Sequence, residues 1–151
     1  MTIDANGYVS GKTISPAFVC RSTGTTTLTN NVYTSLTWGE ELDTHNAVSS
    51  GVFTVPAGQS GIYHFSTGIT VNGIGASTSY ITTLFINGSH SNEHEVYNPT
   101  AITNQASRQV NVANLSAGDT VEFKVSQFSG GDLDTGFVQN RKAFFCGFRL
   151  G

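Results

Sequence analysis

The sequence predicts an all-β domain, a sandwich of short antiparallel strands, and three observations lead there. Apolar and polar residues alternate with period two along much of the chain, and no segment carries a 3.6-residue apolar stripe. Turn-forming clusters such as "TVPAGQSG", "VNGIGAS", "INGS", "LSAGD" and "SGGDLDTG" cut the chain at short intervals. Only 11% of the 151 residues are charged, and 17 are Gly against 3 Pro, while Thr, Ser, Asn and Val recur throughout. That balance suits pleated, half-buried surfaces joined by tight turns. Ten Phe and five Tyr supply the apolar bulk that a disordered chain lacks.

Taken in order, residues 1–15 are polar and aperiodic and predict an extended N-terminal arm. Residues 16–151 then form one domain, long enough for a substantial core. Short strands are expected at "PAFVCR", around "VYTSLTW" and at "SGVFTV". After the Pro/Gly corner "PAGQSG", the segment "GIYHFSTGITVNG" puts Tyr63, Phe65, Ile69 and Val71 on one face and His64, Ser66 and Thr70 on the other. Phe53 and the Tyr63/Phe65 pair can therefore meet inside one sandwich. In "SYITTLFINGS", Tyr80, Leu84 and Ile86 share a face, but Ile81 and Phe85 make the opposite face apolar too. "SRQVNVANL" predicts another strand. In "DTVEFKVSQF", Val121, Phe123 and Val125 alternate with Glu122, Lys124 and Ser126. The closing "RKAFFCGFRLG" sets Phe144, Cys146, Phe148 and Leu150 on one face, with Phe145 and Arg149 opposite.

A formal charge of −3 leaves no electrostatic footprint for nucleic acid or an anionic membrane. No apolar run reaches the roughly 20 residues a membrane helix needs, so membrane insertion is not expected. The opening "MTIDANGYVSGK" lacks the basic-then-apolar pattern of a signal peptide. Without that route, "NGS" at Asn87 and "NLS" at Asn114 read as turns, not glycosylation acceptors. Cys20 and Cys146 fit neither a zinc cluster nor a redox pair; they are buried thiols or one long-range bridge.

Catalysis needs a nucleophile beside a positioned base, and the residues show no such arrangement, so no enzyme is expected. "GQSGI" is not a nucleophile elbow, because Gly follows Ser60 directly. "GIGAS" is half of a dinucleotide fingerprint, but strand follows it where a helix would be needed. His90 and His94 lie four apart in "HSNEH" and would share a face if extended, yet the neighbouring "NGS" predicts an exposed polar loop over a metal site. Asp132 and Asp134, two apart in "GGDLDTG", are the residue type calcium uses, although turn formation alone accounts for them. No other cofactor is indicated.

Phe53, Pro56, Gly61, Tyr63 and Phe65 form a Phe-x-Val-Pro…Gly-x-Tyr-x-Phe pattern that resembles the central signature of C1q-like (C1q/TNF-type) domains. "PAFVCR", "WGEELDTHNAV", "LSAGDTVEFKV" and "AFFCGFRL" resemble further pieces of that family in its order, covering residues 16 to 151. The corner "PAGQSG" is about two residues longer than the family's usual turn, and no collagen-like tract precedes the domain. The lead-in "IDANGYVSGKTISPAFVC" resembles that of C1q-like tips of bacteriophage and bacterial fibres.

The resemblance implies a jelly roll of about ten strands that assembles as a compact homotrimer. Ile81, Phe85 and Phe145 are the candidate trimer contacts. First and last strands would lie side by side, bringing Cys20 and Cys146 together on core-facing sides, as a thiol pair in preference to a strained bridge. Some C1q-like trimers hold calcium near their axis, which adds to the case for Asp132 and Asp134. The implied role is a non-enzymatic fibre tip on the outer face of a virion, made in the host cytoplasm. It would bind a host-surface protein or glycan and contact other virion proteins through its arm. Recognition would use loops such as "GEELDTHN", "NGIGAST" and "GSHSNEHEVYNPT", with Trp38, Tyr80, His90, His94 and Tyr97 as candidate binding residues and the aromatics stacking on sugar rings. The alternatives are a capsid decoration or cement protein and a secreted C1q/TNF-like ligand.

Overall fold

The computed structural model describes residues 2–3, 9–10, 14–136 and 142–151. All of its regular structure is β. The strands are β1 (Thr2–Ile3), β2 (Val9–Ser10), β3 (Ala17–Ser22), β4 (Thr27–Leu28), β5 (Thr34–Ser35), β6 (Trp38–Asp43), β7 (Val48–Ser49) and β8 (Val52–Thr54). They continue with β9 (Gly61–Ile74), β10 (Thr78–Ile86), β11 (Ser89–Asn98), β12 (Ile102–Leu115), β13 (Thr120–Gln127), β14 (Leu133–Thr135) and β15 (Phe144–Arg149). Ten of these strands are three residues or longer. The others are two-residue pairings, too short to leave a periodicity in the sequence. The arm expected over residues 1–15 falls largely outside the described residues, apart from the antiparallel β1–β2 ribbon.

Two antiparallel sheets form the sandwich. In the first, β9 is central: β12 pairs along one edge over its full length, and β15 and β14 share the other. Beyond β15 come β3 and then β6, and β4 lies outside β14. The second sheet runs β11-β10-β13-β8-β7, with β5 also on β13. First and last long strands are thus neighbours, as the resemblance implies.

Phe53 on β8 and Tyr63 and Phe65 on β9 belong to opposite sheets. The Pro56–Gly61 corner carries the chain across the sandwich, so these aromatics of the two sheets meet in its middle, Phe53 tilted or edge-on to the other two. Ring centroids lie 5.6 Å apart for Phe53 and Tyr63 and 4.8 Å apart for Phe18 and Phe53. Gly61 is needed for passage of a side chain: a Cβ there would sit 2.8 Å from Arg149 Nε. Arg149 crosses over it to donate from Nη1 to Gln59 Oε1 at 3.1 Å, and the Tyr63 hydroxyl donates to the Gln59 carbonyl at 2.7 Å.

Three expectations are corrected here. "GEELD" and "HSNEHEVYN" are not loops but strands β6 and β11. β11 is an exposed edge whose inward positions are mostly polar, so alternation could not reveal it. On β15 the faces are inverted: Phe145 is fully buried, whereas Phe144, Cys146 and Phe148 point out of the sandwich. Phe145 is therefore a core residue and no trimer contact. Gly147 explains the inversion, because Phe18 and Phe65 fill the space inside its backbone. The same inversion separates the cysteines, with Cys20 buried inward and Cys146 outward on the other face of the sheet. Both are free thiols. Burial pushes Cys20 up to about 11, helped by Glu40, and burial raises Cys146 as well.

Candidate functional site

The two outer faces of the sandwich differ in chemistry. On the β9 sheet, register places side chains in rows across the strands. One row runs Val112, His64, Phe148, and the next Val110, Ser66, Cys146, Val19, Leu42. Val110 is 64% exposed, Val112 56%, Ile62 49%, Leu42 47% and Phe148 45%. The His64 ring lies 4.9 Å from that of Phe148. Arg108, stacked 5.3 Å over Phe144, and the Arg21–Glu41 pair at 2.9 Å border this surface. Few monomeric surfaces leave so many large apolar side chains side by side.

The outer face of the β10 sheet is aromatic and acidic. Phe85, opposite His90 in register, is covered by its own chain: the Tyr33 ring meets it edge-on at 5.2 Å and Lys124 Nζ lies 4.7 Å from its centroid. Tyr33 also stacks on His90 at 5.8 Å and donates its hydroxyl to Glu93, which pairs with His90 Nδ1 at 2.9 Å. The bond to Glu93 and burial push the Tyr33 phenol up to about 12. Lys124 pairs with Glu122 at 3.1 Å, and Ser35 donates to the same carboxylate. Phe85 is thus occupied within the subunit. Ile81 is half-buried on this same face and takes no part in the apolar surface opposite.

The remaining sequence candidates disperse. Tyr80 is fully buried and its phenol is pushed up to about 12 by burial, so it cannot stack on a ligand. Trp38 packs against Phe123 and Phe145 at 6.1 and 6.2 Å, completing the core at the β6 end. His90 and His94 face opposite ways: the pairing register shifts between Thr82 and Leu84, Asn92 adopts φ 54°, and His94 ends opposite core-facing Thr82. Among the described residues, no three His, Cys, Asp or Glu side chains converge as metal ligands. Asp134 accepts a hydrogen bond from Thr27 at 2.8 Å, and Asp132 is exposed in the preceding loop. Tyr97 stands 60% exposed on β11. Phe128, 39% exposed just past β13, was not singled out from sequence because "SQF" reads as a strand end. At one end of the sandwich, His45, Asn46, Pro56 and Ala57 line a shallow cleft of about 370 Å³.

No protein-family model and no curated protein sequence matches this chain. Solved structures do. The globular domain of zebrafish complement 1qA protein aligns with a TM-score of 0.62 at 18% identity, covering 90% of this chain and 98% of that one. Murine APRIL, solved at pH 5.0, aligns with a TM-score of 0.64 at 13% identity, covering 91% of this chain and all of that one (100%). At such identities the likeness speaks for the backbone and not for shared ligands. Paired with the two-sheet topology and the aromatic corner, it establishes that the chain has the C1q/TNF-like jelly-roll fold.

Proposed function

We propose that this chain is a non-enzymatic recognition head that works as a homotrimer, at the tip of a bacteriophage fibre, where it meets a molecule of the host surface. The observation that carries the proposal is the apolar outer face of the β9 sheet. Ile62, Val110, Val112 and Phe148 lie exposed and contiguous there, and a second copy of the chain is the cover that the C1q/TNF-like fold suggests. The fibre setting is supported by the lead-in "IDANGYVSGKTISPAFVC", and the recognition role by the aromatic and acidic face that such a trimer leaves outward. Light scattering on the isolated chain tests the assembly: the expected mass is three times 16.0 kDa. A monomer at micromolar concentration sinks the trimer. Fluorescently labelled protein on a panel of bacterial cells tests recognition, with saturable binding to at least one strain expected.

A further inference from the structure

The outer face of the β10 sheet holds two aromatic groupings of opposite character. Around Tyr33, Phe85 and His90, Glu93 and Glu122 are already engaged within the chain, and the rings pack on one another. That grouping is a finished piece of structure. At the other end of the face, Tyr97 and Phe128 stand exposed, and among the described residues neither side chain has a ring or hydrogen-bond partner. Register pairs Ser79 with Tyr97 on one side, and the Phe128 amide donates to the Ser79 carbonyl at 2.9 Å on the other. Tyr97, Ser79 and Phe128 therefore form one row, aromatic–small–aromatic. Glu95, exposed and with no ion-pair partner among the described residues, and half-buried Ile81 form the next row.

We propose that Tyr97 and Phe128 form a stacking slot over Ser79 for one neutral hexopyranose ring of a host glycan, with Glu95 accepting hydrogen bonds from its hydroxyls. The proposal rests on the reading of the chain as a recognition head. Adjacent strands lie about 4.8 Å apart, so the two aromatic residues are separated by about 10 Å. A saturated six-membered ring in contact at about 3.5–4 Å with each aromatic face fills that width. The two rings together expose about 200 Å², judged from their exposure and the usual area of aromatic side chains. A stable protein interface needs about 800 Å² per partner, so neither a second copy nor another protein is held by this patch. An apolar small molecule needs an enclosing pocket, which an open sheet face does not offer. A sugar does not: it stacks its C–H face and leaves its hydroxyls to water and to Glu95. The β-sheet floor holds the slot ready, so little ordering entropy is lost on binding.

The test uses the full chain on an array of neutral hexose-terminated glycans. The methyl hexopyranoside matching the strongest signal is then titrated by saturation-transfer NMR. Tyr97→Ala and Phe128→Ala are each expected to weaken binding about 3- to 10-fold, and Glu95→Gln by a similar factor. Tyr97→Phe, which keeps the ring face, should bind as wild type, and all four variants should keep the wild-type scattering mass. Absence of hexose binding overturns the proposal, as does undiminished binding by the two alanine variants. Binding of tetramethylammonium in place of sugar overturns it too. Cell binding separates the two levels of inference. If Tyr97→Ala binds bacterial cells as well as wild type, the slot fails and the recognition head stands; if wild type binds sugar but no cells, the recognition reading fails.

Discussion

At Gly147 the rings of Phe65 and Phe18 come so close that an added Cβ would lie 2.6 and 2.8 Å from their edges. Both rings are fixed by further aromatic neighbours, so neither can withdraw cheaply. Gly147→Ala is expected to destabilise the fold by about 1–3 kcal/mol. Thermal melts at one protein concentration check this, since assembly links the midpoint to concentration. The Tyr33–Glu93 pair gives a second residue-scale prediction. Hydrogen bonding to Glu93 is the largest cause of the raised Tyr33 pKa, so the pair supports the fold below the ordinary phenol value of 10.0. Its contribution is lost as the pH climbs through about 12. In an alkaline absorbance titration, Glu93→Gln should move one phenol back toward the ordinary range. A curve identical to wild type would contradict the pairing.

At the scale of elements, the turn before β13 is tied to the β10–β11 turn by side chains. Asn87 Nδ2 donates to Asp119 Oδ1 at 2.9 Å, the Ser116 amide donates to Asp119 Oδ2 at 2.8 Å, and the Thr120 amide donates to Asn87 Oδ1 at 2.9 Å. The Asn87 bond, then the Ser116 bond, lower the Asp119 carboxyl below its usual value. The group therefore stabilises the fold above about pH 4 and loses that effect as the pH falls through its folded value. Asp119→Ala should melt below wild type at neutral pH, and the gap should close as the pH falls through the lowered folded value of the carboxyl. A gap that persists in acid would mean that the carboxylate is not its source. Element by element, strands with one apolar face were legible: β9 and β13 lie where alternation put them, and β3 covers the short strand expected at "PAFVCR". β11 was not, because its role is to close an edge, and edge strands carry charges such as Glu93 and Glu95 that deter pairing with another sheet. β12 runs from Ile102, well before its legible part, because it follows β9 along its whole length.

For the whole molecule, the proposed trimer makes its own prediction. Phe148→Asp and Val112→Asp place charges in the apolar row around His64 without touching the core, so each should yield folded monomer at a concentration where wild type is trimeric. Circular dichroism confirms the fold and scattering gives the mass; an unchanged trimeric mass in both variants would move the interface elsewhere. Phe85→Asp, on the opposite sheet, should leave the mass unchanged, in contrast to the expectation from sequence.

The fold class, the aromatic corner and the likeness to C1q/TNF-type domains can be read from the residues alone. Those follow from period-two alternation, turn residues and the spacing of Phe53, Gly61, Tyr63 and Phe65, all local to short stretches. Which face of each two-faced strand is the inside depends on the packed sandwich. In β15 and β10 both faces are apolar, and alternation has no sign; burial is settled by what the other sheet and the covering segments bring. Phe145 went inward because Gly147 leaves room there for Phe18 and Phe65, and Phe85 was covered because Tyr33 lies beside it. The pairing of Tyr97 with Phe128 across Ser79 is likewise a product of register between strands distant in sequence, which no local pattern encodes.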